Sequence, residues 1–252
     1  MHPELVTFAL HLADLVRPLA RAHFRTPLTV EAKADASPVT EADRGIEALL
    51  RAEIRRTYPS HGILGEEEGG DLRAARTWVI DPIDGTKSFV TGLPLFGTLI
   101  ALAEAGRPVL GVIDMPILGE LWHGTSGRAW FGEIPAKASR RRLSDARIFI
   151  ASPDRFAGED AAAVARLSER AALRRYGGDC YAYGLLASGH CDLVVEAGLA
   201  IYDVFALVPV VEGAGGVITD WQGRPLGPDF DGRVLAAANP ALHLDALDRL
   251  VG

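Results

Sequence analysis

The chain has 252 residues, 48% of them hydrophobic and 23% charged, with a formal net charge of −7. That composition supplies a sizeable core for one large domain or two closely packed halves. The acidic balance argues against a nucleic-acid binder, which carries a basic stripe, and the short run Arg140-Arg141-Arg142 reads as a solvated face or loop.

Residues 3–24 place Leu5, Phe8, Leu12, Leu15, Val16 and Leu19 at helical spacing, predicting an amphipathic helix despite Pro18. Glu4, His11 and Asp14 interrupt those apolar residues, so no signal peptide is read there. No apolar run reaches bilayer-spanning length, and a cytoplasmic protein with no membrane partner is expected. The polar passage Thr26 to Ser37, with Lys33 and Asp35, reads as strand and loop. Thr40 is a plausible N-cap, with Asp43 three residues on in a variant of the capping box. The helix it starts runs to Arg56, and Tyr58-Pro59 ends it. Taken alone, Asp43 is a capping carboxylate.

Ile63-Leu64-Gly65 is a short strand with Glu66 at its end, a position from which a strand presents a ligand. Glu67 and Glu68 read as acids of an exposed loop. Trp78-Val79-Ile80 is a buried strand delivering Asp81, and Pro82 is expected to stop it there. Gly85 permits a tight backbone path, and Asp84-Gly85-Thr86 opens a helix. Two carboxylates three residues apart at such a turn can converge on one hard cation. The N–H groups of the helix start then face an anion beside it. Metal plus anion pocket is the arrangement a phosphate-ester hydrolase needs.

Gly97 to Ala103 and Pro108 to Asp114 read as paired strands, and the segments at Leu121 and Arg128 continue a meander. The charged passage Ser139 to Arg147 is the expected boundary between halves 1–145 and 146–252, which form one catalytic unit. In the second half, strands are expected at Ile148-Phe149-Ile150, Leu193-Val194-Val195, Val217-Ile218-Thr219 and Val234-Leu235-Ala236. Helices are expected at Glu159 to Ala172, Cys180 to Ser188, Asp203 to Gly213 (broken by Pro209) and Pro240 to Leu250. This alternation indicates layered α/β architecture. Cys180 and Cys191 lie eleven positions apart, form no Cys-x-x-Cys pair and read as core thiols rather than a zinc site or disulfide.

The acids Glu66, Asp81, Asp84 and Asp203, with the Ile83 carbonyl, form an all-oxygen donor set that suits Mg²⁺ or Mn²⁺ rather than zinc. Lys87 and Lys33 are available to add positive charge. There is no Gly-x-Ser-x-Gly elbow and no Gly-x-x-x-x-Gly-Lys loop, so a covalent phospho-enzyme is not expected. Asp179, after Gly177-Gly178, is either the N-cap of the next helix or a pocket acid.

Asp81-Pro82-Ile83-Asp84-Gly85-Thr86 resembles the metal-binding signature of the inositol monophosphatase superfamily. Gly65-Glu66-Glu67, the segment Lys33 to Asp43, and Asp203 followed by Glu212-Gly213-Ala214-Gly215-Gly216 match it in the same order. The resemblance spans roughly residues 33–220 and implies a layered αβαβα sandwich with mixed sheets, two or three Mg²⁺ per site and a homodimer. It assigns Glu66, Asp81 and the Ile83 carbonyl to one Mg²⁺, and Asp81, Asp84 and Asp203 to a second. Glu66 and the Thr86 hydroxyl, with Asp43 accepting the Thr86 proton, would orient the attacking water. The Gly85 and Thr86 amides would face the phosphoryl oxygens. Glu196 stands where the family carries an acid that contacts the leaving group.

Asp179 with Glu196 suits a substrate bearing an ammonium or imidazolium group. Lys87-Ser88, Gly97 to Leu102 and Tyr202-Asp203 resemble the histidinol-phosphate phosphatase branch. The inositol branch more often has Asn and Trp where this chain has Ser88 and Tyr202. Hydrolysis of L-histidinol phosphate is therefore the preferred expectation. Inositol 1-phosphate and 3′(2′),5′-bisphosphate nucleotides are the alternatives. A non-catalytic phosphate-binding scaffold would be expected to lose residues such as Glu66, Thr86 and Asp203, all of which are present.

Overall fold

The computed structural model describes residues 3–27, 30–32 and 38–251, so Lys33 and Asp35 lie outside the described residues. Its α-helices are α1 (Pro3–His23), α2 (Glu41–Thr57), α3 (Thr86–Val90), α4 (Gly158–Ser168), α5 (Asp179–Ala187), α6 (Ile201–Val204), α7 (Leu207–Gly213) and α8 (Pro240–Val251). Among the described residues, no helix is long and apolar enough to cross a membrane.

Alternation along the strands decides the layering. In the strand Arg76–Asp84, Trp78 and Ile80 face one side and Val79 the other; Ile100 and Leu102 alternate likewise with Leu99 and Ala101. The first set packs under the apolar stripes of α1 and α2, which bury Leu5, Leu12, Val16, Ile46, Leu50 and Ile54. The second set meets α5 and α7, whose Tyr183, Leu186, Val210 and Val211 fill the middle of the molecule. Val194, Val234 and Ala236 of a second sheet close that layer from the far side. The outer face of the second sheet packs against α4 and α8 through Val164, Leu167, Leu242 and Ala246. The result is the expected αβαβα sandwich.

The first sheet runs Ile134–Pro135, Arg128–Phe131, Glu120–Thr125, Arg107–Met115, Gly97–Glu104, Arg76–Asp84, Gly62–Gly65 and Gly69–Gly70. Only its Gly62–Gly65/Arg76–Asp84 pair is parallel. The second runs Leu173–Tyr176, Arg147–Ile150, Leu193–Glu196, Val234–Ala237 and Val217–Thr219, parallel at the first two pairings and antiparallel after. Both sheets are mixed.

Three local expectations need correction. The central strand does not stop at Asp81 but continues through Pro82 to Asp84. Its ladder jumps from Asp81↔Leu99 to Asp84↔Gly97, so the N–H that Pro82 lacks falls at the irregularity, where no bond is required. The helix of residues 203–213 breaks at Phe205-Ala206 rather than at Pro209. A proline ring clashes with the carbonyl four residues back, which here is Phe205, while Pro209 itself sits in the first turn of α7, where its missing N–H costs nothing. Helix α4 stops at Ser168 instead of Ala172. The next residues form the edge strand Leu173–Tyr176, whose four exposed side chains give no alternation to read.

Two glycines let α6 and α7 lie directly on the first sheet. A Cβ on Gly111 would sit 2.0 Å from the Ala206 carbonyl oxygen, and one on Gly124 would sit 2.3 Å from that of Pro209. Backbone cannot yield there as a flexible side chain would. Gly111→Ala is expected to lower stability by roughly 1–3 kcal/mol through overpacking. The check is the urea midpoint, and an unchanged midpoint would contradict this packing.

Candidate active site

Three short segments bring their acids to one place. The strand Arg76–Asp84 carries Asp81, which is buried, and Asp81 Oδ1 accepts the Ile83 N–H at 3.0 Å to fix the turn that follows. Thr98 Oγ1 donates to the Pro82 carbonyl at 2.8 Å from the neighbouring strand. Gly85 has φ +82°, a left-handed conformation that only glycine adopts at little cost, and it swings the chain into the single helical turn of α3. Asp84 is held from the second half of the chain: its Oδ2 accepts the Cys180 N–H at 2.7 Å, in the first turn of α5. Asp203 Oδ2 accepts the Ala200 N–H at 2.6 Å as the third residue of α6. Carboxylate oxygens of Asp81, Asp84 and Asp203 lie within 4.8 Å of one another.

Glu66 joins them by register. Gly65 pairs with Ile80 in the parallel ladder, and the Glu66 N–H donates to the Ile80 carbonyl at 3.2 Å, so Glu66 stands level with Asp81. A cavity of about 320 Å³ is lined by Glu66, Asp81, Ile83, Asp84 and Asp203, and by Gly85, Thr86 and Lys87 from the turn. Asp179 and Glu196 line the same cavity.

Asp43 is the sequence-predicted residue that does not line it. Its Oδ2 accepts the Thr40 N–H at 2.8 Å and the Thr40 hydroxyl at 2.5 Å, closing the capping box of α2. The expected Thr86–Asp43 hydrogen bond is replaced: Thr86 Oγ1 donates to the Ile83 carbonyl at 3.1 Å. That carbonyl belongs to the same turn, whereas the Asp43 oxygen is taken by its own cap. The N-cap reading of Asp179 also fails. Gly178 occupies the cap, and Asp179 is the first helical residue, itself at φ +45°. Asp179 Oδ2 instead accepts the Ser88 hydroxyl at 3.1 Å. Glu196 ends its strand with Oε2 accepting the Tyr183 hydroxyl at 2.9 Å.

Sequence reasoning missed Arg155, which lines the cavity and donates from Nη1 to the Gly198 carbonyl at 3.0 Å. Its signal was positional. It follows the strand Arg147–Ile150 by a few residues, and in open α/β sheets ligands gather beyond strand ends.

Electrostatics follow from burial and crowding. Burial, then the charges of Glu66, Asp84 and Asp203, push Asp81 well above the usual carboxylate range. Burial and the charges of Asp179 and Asp203 do the same to Asp84. Asp203 rises to about 7 and Glu196 to about 8, in each case chiefly through burial. So many carboxyl oxygens, with no sulfur or imidazole among the described residues that line the cavity, fit a hard divalent cation.

The sign of the pH dependence follows. Carboxyls whose folded pKa exceeds the unfolded value of about 4 leave the folded chain binding more protons than the unfolded one between about pH 4 and pH 8. Their contribution to stability is present at the acid end of that window and is lost as pH climbs through the folded values. Chelator-treated protein is expected to melt higher at pH 6 than at pH 8 in calorimetry, with a larger gain from added divalent cation at pH 8. The opposite slope would contradict the crowded cluster.

The sequence profile of the inositol monophosphatase family matches residues 2–250. The chain is 46% identical to the chloroplastic bifunctional phosphatase IMPL2 of Arabidopsis thaliana over 95% of its own length and 72% of that protein. It is 38% identical to a histidinol-phosphatase of Chlorobaculum parvum, covering 96% and 94% of the two chains. The structure of an inositol monophosphatase from Zymomonas mobilis superposes with a TM-score of 0.91 at 45% identity, over 100% of this chain and 99% of that one. With its family signature, its fold and its acidic cavity in agreement, the chain belongs to the inositol monophosphatase family of phosphatases.

Proposed function

We propose that the chain hydrolyses L-histidinol phosphate to L-histidinol and phosphate with Mg²⁺ in the cavity. The observation that carries the substrate reading is the pair of acids Asp179 and Glu196, one half-buried and one buried, in the same cavity as the Asp81/Asp84/Asp203 cluster. An ammonium or imidazolium group placed there pairs with these carboxyls and favours their charged forms, which a neutral polyol does not. The likeness to a histidinol-phosphatase supports the same substrate.

In this reading Glu66, Asp81 and the Ile83 carbonyl would hold one Mg²⁺, and Asp81, Asp84 and Asp203 would hold another. Bound there, the cations would neutralise phosphoryl oxygens and acidify a water. Glu66 takes the proton that the attacking water gives up. The Thr86 hydroxyl, anchored on the Ile83 carbonyl, presents its oxygen to that water, and the Gly85 and Thr86 amides orient the phosphoryl group. Lys87 adds positive charge at the cavity wall. Asp43 acts indirectly, holding the start of α2 through its capping box.

A second reading, inositol 1-phosphate as substrate, is favoured by the likeness to the Zymomonas inositol monophosphatase. The test is kcat/KM on histidinol phosphate, inositol 1-phosphate and a 3′,5′-bisphosphate nucleotide under one Mg²⁺ condition. Histidinol phosphate is expected to lead by about tenfold or more, a margin of about 1.4 kcal/mol; parity or reversal favours the second reading. Asp84→Asn and Asp203→Asn are each expected to cut kcat/KM at least ~100-fold, consistent with the several kcal/mol supplied by a catalytic cation. A wild-type rate in either would remove it from the mechanism.

A further inference from the structure

We propose that Glu47, a carboxylate outside the cavity, is a positioning residue that sets where Glu66 stands. Glu47 lies one helical turn beyond Asp43 on α2, so the two acids share a face. It is fully buried at 0% exposure. Its Oε2 accepts the N–H of Glu67 at 2.8 Å, and its Oε1 that of Glu68 at 2.9 Å. Arg51, one turn further along, donates from Nε to Oε1 at 2.8 Å and from Nη2 to the Gly69 carbonyl at 2.5 Å. On the other side of Glu66, a Cβ on Gly65 would sit 2.3 Å from Glu47 Oε1, so the carboxylate reaches the loop only because residue 65 has no side chain.

The consequence falls on Glu66. Its own N–H is held by Ile80, and the next two amides are held by Glu47. Three successive peptide groups are thus fixed around one side chain. A buried ion pair is a poor way to gain stability, since apolar residues of similar size often serve as well, and its best-attested use is to specify position. Here the pair grips the turn that carries Glu66. This inference rests on the reading above that Glu66 helps hold a divalent cation.

The test uses Mn²⁺ alone as probe, titrated by electron paramagnetic resonance into the chelator-treated full chain without substrate. Glu47→Gln keeps the size and one acceptor oxygen but turns an NH₂ toward an amide N–H. It is expected to weaken Mn²⁺ binding about 10–100-fold, the usual effect of losing a partner behind a ligand. The Mg²⁺ concentration for half-maximal activity should rise by a similar factor, and excess Mg²⁺ should restore most of kcat. A merely structural role would lower the melting temperature of the metal-free protein and move neither quantity. If Glu47→Gln does not fold, Arg51→Lys carries the test, with a weakening of about threefold or more expected from losing the Gly69 bond. Wild-type Mn²⁺ affinity in the folded variant overturns the inference and leaves the site reading intact. Failure of the wild-type chain to bind Mn²⁺ overturns both.

Discussion

Carboxylates repel one another, and burial strengthens the repulsion because little water is left to screen it. Asp81, Asp84 and Asp203 nevertheless bring oxygens within 4.8 Å, with Glu66 in the same cavity. Much of the surrounding architecture can be understood as what holds this arrangement in place. Asp81 accepts from Ile83, Asp84 from Cys180 and Asp203 from Ala200, so each acid receives a backbone N–H that partly offsets its burial. What those amides do not balance is left for a cation and its substrate.

The acids come from both halves of the chain, and the contacts between halves are correspondingly specific. Cys180 N–H to Asp84 and Ser88 hydroxyl to Asp179 join the turn after the central strand to the start of α5. Behind them the middle layer packs Trp122, Tyr183 and Phe205 without exposed surface to spare. Gly111 and Gly124 bring the backbone around α6 and α7 onto the first sheet. Site geometry and core packing are therefore linked in this fold.

Much of this was legible in the sequence because the site acids sit at the ends of short apolar runs. Glu66 follows Ile63-Leu64-Gly65 and Asp81 follows Trp78-Val79-Ile80, so strand patterning located them before any geometry was known. The capping signal of Thr40 and Asp43 was equally local. What failed to show depended on partners distant in sequence. Whether Thr86 bonds Asp43 or Ile83, and whether Asp179 caps a helix or meets Ser88, is decided by tertiary packing. The bulge past Pro82 needed the neighbouring strand to be visible. Glu47 and Arg51 are spaced i, i+4 on α2, and nothing local reveals that a turn will close over them.

The proposed chemistry depends on where a divalent cation binds. Diffraction from crystals grown with Mn²⁺, recorded at the manganese absorption edge, reads this directly. Anomalous peaks are expected among the carboxylates of Glu66, Asp81, Asp84 and Asp203. Manganese bound elsewhere, or none at those acids under conditions that support phosphate release, would contradict that chemistry.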